Sequence, residues 1–493
     1  MKRRTFILST LGAVASAHVA PVDQAPASKV PGWVRNALMK DNARSKNFPQ
    51  LPHRFVWGVA TSAYQIEGGV HEDGRGECIW DRFCKIPGKI KGHENADVAC
   101  DHFHLWKSDI ALMKSLGIQS YRFSLAWTRL QPLGSGAANQ KGIDFYSRII
   151  DELLANGIRP FPTLYHFDLP QALQDLGGWA SRDTADRFAD YAHIAARAFS
   201  GRCSNWLIFN EPSMFVNLGH LSGIHAPGIK DPAVAMRAGH IVNLAQGKAF
   251  RAMKAVSPKL RIGSAFSMSQ PYPASDSAQD RRAAEQFHAW ENIWYLEPAL
   301  CGRYPSAVGP VPEKLLDIRP GDMALIRAPF DFIGINNYSR AVIEFDPGFP
   351  IPFVNIRWHA GQVGSKTDVD WEVYPRGLYE ITMRIWRDYH LPIEITENGA
   401  AYNTAPNRDG EVPDQPRIDF YNRYIHELSQ AITDGADVRG YHAWSLLDNF
   451  EWNEGYTPRF GLVYVDYNSL SRTPKASAAW YAKLIAAQTT NSR

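Results

Sequence analysis

Eight strand-like runs alternate with helix-like stretches along most of this 493-residue chain, and that rhythm constrains the fold more than any other feature. The runs are 55–64, 120–127, 159–167, 205–210, 261–267, 330–338, 391–396 and 438–447. Amphipathic stretches lie between them, at 101–116, 143–156, 183–198, 233–255, 377–389 and 418–434. Such alternation predicts parallel strand pairing through crossover helices. Gly117, Gly157, Gly201 and Gly435 follow four of the stretches, where a left-handed residue ends a helix before the next strand. Eight units without a break predict an α/β chain closed into a single (β/α)8 TIM barrel over residues 50–488. An open doubly wound sheet is the alternative, but it would offer a phosphate-binding glycine turn after an early strand, and the chain carries no GxGxxG motif. The interval between the fifth and sixth runs and the stretch 346–373 exceed ordinary connections, and long loops on a barrel shape the mouth of its site.

Composition narrows the function. A net charge of +3 is too small to argue for nucleic acid or an anionic membrane. Aromatic residues at 12%, with 15 Trp, supply flat side chains for binding walls as well as for the core. Walker A and HExxH motifs are absent, and the five cysteines (Cys78, Cys84, Cys100, Cys203 and Cys301) form no CxxC pair. A zinc site and a disulfide framework are therefore not expected, although one bridge among Cys78, Cys84 and Cys100 stays open. At the N-terminus, Lys2-Arg3-Arg4 precedes an apolar stretch ending in Ala15-Ser16-Ala17, a small-residue cleavage pattern. Residues 1–17 read as a twin-arginine-type signal peptide and 18–49 as a linker or arm, which predicts a periplasmic or secreted enzyme, or a cytoplasmic one if the signal is not used.

Two glutamates stand at the ends of apolar runs. Glu211 follows Trp206-Leu207-Ile208-Phe209 within Asn210-Glu211-Pro212, and Glu397 follows Ile393-Glu394-Ile395-Thr396. In a β/α barrel the C-terminal strand ends build the active site, and two carboxyl groups meeting there are the minimum apparatus for cleaving a glycosidic bond. Asn-Glu-Pro on its own reads more readily as a surface turn. Glu394 is the rival of Glu397; positions three apart in an extended strand face opposite ways, so only one of the two is expected to look into the barrel. A third cluster, Trp444 to Trp452, mixes carboxylate, amide and indole groups suited to sugar hydroxyls and C–H faces, or to a core Trp with surface acids.

Taken together, these segments resemble glycoside hydrolase family 1, the retaining β-glucosidases. The resemblance spans residues 55–467 and rests on Gly58-Val59-Ala60-Thr61-Ser62-Ala63-Tyr64-Gln65-Ile66-Glu67-Gly68, Tyr121-Arg122-Phe123-Ser124 and Thr163-Leu164-Tyr165-His166-Phe167-Asp168-Leu169-Pro170. It continues through Phe209-Asn210-Glu211-Pro212, His225-Ala226-Pro227-Gly228, Asp331-Phe332-Ile333-Gly334-Ile335-Asn336-Asn337-Tyr338, Ile395-Thr396-Glu397-Asn398-Gly399 and the Trp452 cluster with Glu454-Gly455-Tyr456. The resemblance implies Glu211 as acid/base and Glu397 as nucleophile, with Tyr338, Arg122 and Asn336 beside them. Arg122 would help keep Glu397 ionised, whereas Glu211 needs a raised pKa. Gln65, His166, Asn210, Glu451 and Trp452 would grip the sugar, Trp444 would floor it, and Trp371 and Phe460 complete the substrate-binding set.

The expected activity is removal of terminal β-D-glucosyl residues by double displacement, with no cofactor and no metal. Alternatives are a β-galactosidase or β-fucosidase, a transglycosidase, and a catalytically silent sugar-binding protein on the same fold. The partner is a small-molecule β-glycoside or oligosaccharide, with neither nucleic acid nor a stable membrane anchor; assembly into a homo-oligomer stays open. Glu211 itself, where thioglucosidases carry Gln, favours O-glycosides, and Glu451 disfavours a 6-phosphate. Departures gather toward the leaving group: Ser213, Phe167 and Asn337 stand where the family commonly has larger or different residues.

Overall fold

The computed structural model describes residues 48–359 and 364–490. The signal-peptide reading and nearly all of the arm lie outside them. Eight parallel strands close a barrel: β1 (Val56–Ala60), β2 (Ser120–Ser124), β3 (Arg159–Tyr165), β4 (Asn205–Asn210), β5 (Arg261–Ser267), β6 (Ile333–Asn336), β7 (Ile393–Asn398) and β8 (Val438–Trp444). Closure is made by β1 pairing with both β2 and β8. The helices that follow them in turn are α1 (His102–Ser115), α2 (Gln140–Ala155), α3 (Arg182–Phe199), α4 (Pro232–Val256), α5 (Ala278–Phe287), α6 (Arg376–Tyr389), α7 (Gln415–Thr433) and α8 (Ala476–Thr490).

Local chemistry starts and stops these elements. The Asp231 side chain accepts from the backbone N–H groups of Ala233 and Val234, with Pro232 at the first helical position of α4. Ser277 caps α5 in the same way through the Asp280 N–H. Gly117, Gly157 and Gly435 have positive φ after their helices, as expected. Gly201 does not: α3 ends at Phe199 and its turn closes without a left-handed residue. Several strands end earlier than the apolar runs do. The run at 55–64 passes into a buried helical turn at Ala63–Ile66, and the run at 120–127 into another at Trp127–Leu130. Apolar residues beyond those strand ends bury in loop structure at the barrel mouth, so hydrophobicity alone overstates strand length.

The barrel floor is filled by Phe161, Leu207, Ala265 and Phe332, which form their own buried cluster. Above it the interior turns polar. The two long loops build a three-stranded sheet over the mouth, from Pro271–Pro273, Ala341–Phe345 and Ile356–His359. All five cysteines are free, so the bridge left open among Cys78, Cys84 and Cys100 does not form.

Candidate active site

Both glutamates are aimed by irregular backbone at strand ends. Pairing between β4 and β5 shifts register between Leu207 and Asn210, and Glu211, one residue past β4, has φ of 43°. A non-glycine residue holds that left-handed conformation at a cost, and such positions concentrate at functional sites. On β7, register against β6 shifts between Ile395 and Glu397, so one extra residue is inserted at Thr396. That bulge overturns the expectation that only one of Glu394 and Glu397 looks inward. Glu394 also turns toward the barrel axis, where its charge is felt by Arg159 of β3, on the opposite wall, and by Arg261 of β5. The bulge resets the strand's alternation and lets Glu397 face the same interior, nearer the mouth.

Glu397 is held on both oxygens. Arg122 Nη1 donates to Oε1 at 2.5 Å, and the Tyr338 hydroxyl donates to Oε2 at 2.5 Å. Arg122 is fixed in turn by donating to the Thr396 carbonyl at 3.1 Å and, through Nη2, to Asn210 Oδ1 at 2.6 Å. Because guanidinium only donates, the Asn210 atom facing it is the oxygen, and its amide nitrogen points to His166 Nε2 at 3.0 Å. His166 therefore accepts through Nε2 and is neutral, in keeping with burial and the nearby Arg122 holding its pKa well below the usual range. Asn336 Nδ2 donates to Glu211 Oε1 at 3.0 Å and to Asn210 Oδ1 at 2.9 Å, while Thr396 Oγ1 donates to Asn336 Oδ1 at 2.6 Å.

The carboxyl groups differ in charge state for a physical reason. Burial pushes the Glu211 carboxyl up to about 8, and the adjacent Glu397 charge adds to it. Burial also raises Glu397, against the opposing pull of Arg122 and Tyr338. The expectation that Arg122 favours the ionised form is met in direction, but desolvation outweighs it in the net shift. Glu451 is a third member: burial first, then Glu397 and Glu211, push it up to about 8. Only Glu397 of the three contacts a cation among the described residues. A proton near neutral pH thus resides on Glu211 rather than Glu397.

The remaining predicted residues gather around this centre. Gln65 donates to Asn449 Oδ1 at 3.0 Å, to the Phe450 carbonyl at 2.9 Å and to Glu451 Oε2 at 3.3 Å, with Ser62 holding its oxygen. Trp444 and Trp452 flank His166, with ring centroids 5.8 and 5.9 Å away. Trp371 and Phe460 pack beside Tyr338 at 5.3 and 6.1 Å. A cavity of about 350 Å³ opens outward from Glu211, Asn336, Tyr338 and Trp371. Sequence reading missed three participants: Thr396, which orients Asn336; Ser267, which lines the cavity beside Glu211; and Trp358, which lines the outer cavity. The stretch 346–373 signalled the last only as a mouth-shaping loop.

A β/α barrel whose strand ends bring two differently tuned carboxyl groups to a buried polar pocket defines a glycosidase-type site. The sequence profile of Glycosyl hydrolase family 1 matches residues 47–490, and the chain belongs to that family. It is 45% identical over 439 residues to beta-glucosidase A of Acetivibrio thermocellus, covering 88% of this chain and 98% of that one. A 1,4-beta-D-glucan glucohydrolase of Thermotoga neapolitana is 42% identical over 441 residues, 88% of this chain and 98% of its own. The family 1 β-glucosidase of Thermotoga maritima superimposes with a TM-score of 0.86 at 42% identity, over 90% of this chain and 99% of that chain, and has also been solved with galacto-hydroximolactam.

Proposed function

We propose that the protein is a retaining exo-β-glucosidase. Glu397 attacks the anomeric carbon while Glu211 delivers its proton to the leaving oxygen; Glu211 then takes a proton from the water that releases the sugar from Glu397. The observation that carries this reading is the asymmetry between the two glutamates: one bound by Arg122 and Tyr338, the other bound by the Asn336 amide and carrying a raised pKa. Asn210, tied to Arg122 and His166, sits beside both and is placed for the hydroxyl next to the reacting carbon. Gln65, Glu451, His166, Trp444 and Trp452 bind the rest of the sugar, and Trp371 and Phe460 the region beyond Tyr338. An unphosphorylated sugar fits best, because the cation at this centre, Arg122, is committed to Glu397 and Asn210.

A galactoside is the second reading, favoured by the galacto-configured inhibitor carried by the Thermotoga maritima relative. The deciding experiment is hydrolysis of p-nitrophenyl β-glucoside, β-galactoside, β-fucoside, α-glucoside and 6-phospho-β-glucoside with the product anomer followed by NMR. β-Glucose appearing first from the β-glucoside supports the reading; release of the α-anomer, or no β-glycoside turnover, overturns it. Glu397→Gly should abolish turnover, with partial recovery in azide acting as an external nucleophile; full activity without azide would remove Glu397 from its role. The basic, apolar and small-residue order of residues 2–17 supports export to the periplasm or beyond, tested by cell fractionation with Arg3 and Arg4 replaced by Lys.

A further inference from the structure

The cavity beyond Glu211 is walled by apolar side chains on most sides, among them Met214, Leu218, Met268, Phe349, Ile356 and Trp358. Its polar wall residues are largely committed to one another. Asn292 is bonded at both ends, accepting from the Ser269 N–H and donating to the Ser269 carbonyl and His288. Arg340 is paired with Glu372 at 2.8 Å and stacked on Tyr374, and the Ser339 hydroxyl donates to the Glu372 carbonyl. Asn217 donates to Glu291, leaving one enclosed oxygen on each without a partner. A second pyranose placed there would bring several hydroxyls to a wall with few groups left to meet them. Unmet hydroxyls are costly once desolvated, whereas a flat apolar group loses nothing polar.

Trp358 completes this wall from the edge strand of the mouth sheet. Ile356 and Trp358 are two residues apart on one strand, hence on one face, and both line the cavity. The alternate residues point away and are fastened by charge: Arg357 to Asp346 at 2.7 Å and His359 to Glu344 at 2.9 Å. The indole is thereby held at the rim yet remains 53% exposed, a large aromatic surface without a full partner.

We propose that Trp358 is a specificity-determining residue, the outer wall of a leaving-group pocket that selects flat apolar aglycones over a second sugar. This rests on the glucosidase reading, because the cavity begins at the acid that would protonate the leaving oxygen. Benzyl β-D-glucoside and cellobiose form a fair pair for the test, since both leave as unactivated alcohols; methyl β-D-glucoside has a leaving group too small to reach the rim. The expected result is kcat/KM for benzyl β-D-glucoside at least about tenfold above cellobiose. Trp358→Ala should cut the benzyl value about tenfold, Trp358→Phe should restore most of it, and methyl β-D-glucoside should stay within about twofold in both. Cellobiose preferred by the unmutated enzyme, or equal losses on benzyl and methyl glucosides, overturns the inference alone. No turnover of any β-glucoside by the unmutated enzyme overturns the glucosidase reading and this inference with it.

Discussion

Replacing Tyr338 by Phe removes one hydroxyl from the site and leaves its ring contacts with Trp371 and Phe460 in place. The hydroxyl donates to Glu397 Oε2 at 2.5 Å, while Arg122 holds the other oxygen. A hydrogen bond to a charged group contributes about 1.5–3 kcal/mol. If that contribution is made in the transition state and not matched in the free enzyme, kcat/KM falls about 10- to 150-fold when the hydroxyl is removed. The pH profile supplies a sharper readout. Tyr338 and Arg122 oppose the rise that burial imposes on Glu397. Without the hydroxyl the carboxylate is less favoured, its pKa moves further up, and more of the enzyme is inactive at low pH. The acid limb of kcat/KM for p-nitrophenyl β-glucoside should therefore shift to higher pH, with the alkaline limb, governed by Glu211, keeping its place. An acid limb that stays put or moves down, with unchanged circular dichroism, would refute this account of how Glu397 is kept ionised.

The acid makes a complementary prediction: with the Glu211 carboxyl pushed up to about 8, its protonated form is lost as pH rises through that value, so kcat/KM falls on the alkaline side. Glu211→Gln should lower kcat/KM for benzyl β-glucoside about 10²–10⁴-fold and spare kcat/KM for 2,4-dinitrophenyl β-glucoside, whose leaving group needs no proton, while kcat for the latter falls because release of the sugar from Glu397 loses its base; an alkaline limb persisting in the variant's kcat/KM would assign that limb elsewhere. Far from the site, burial would raise Asp322, but hydrogen bonds from Arg182 and His240 outweigh it and pull its carboxyl down to about 2. A depressed carboxylate stabilises the fold above its unfolded pKa, near 4, and loses that contribution as pH falls toward 2. Asp322→Asn should cost about 1–3 kcal/mol at neutral pH and flatten the decline between pH 4 and 2 in calorimetry; an unchanged acid slope would remove Asp322 as its source.

The parts of the fold legible in sequence were those written by periodicity. The run 205–210 coincides with β4, because polar Asn205 and Pro212 bracket an apolar stretch that has nowhere to go but the barrel wall. The run at 55–64 overshot β1, because Ala63 and Tyr64 continue its apolar pattern yet bury in a loop helix above the barrel. Among site residues, those carried by ordered motifs converge as expected. Trp358 escaped notice because nothing in Ile356-Arg357-Trp358-His359 separates a cavity-lining indole from a surface one; the neighbours that fasten the strand, Glu344 and Asp346, are more than ten residues away. Glu394 and Glu397 failed for a different reason. Alternation assumes an unbroken ladder, and the bulge at Thr396 breaks it where the chemistry is.

The charge states were hidden for a related reason: they belong to the assembled group and not to any one residue. Glu211, Glu397 and Glu451 come from three different strand ends and share one contacting cation, Arg122, already spread over Glu397 and Asn210. Burial first, and then repulsion among the three, disfavours their ionising together, so the carboxyl groups without the guanidinium keep their protons to about pH 8. The proposed acid, Glu211, is thus set by burial together with a scarcity of positive charge. The same scarcity bears on Glu397, whose rise on burial is opposed by the two donors at 2.5 Å, Arg122 and Tyr338; in the proposed mechanism these are the groups that favour its ionised form.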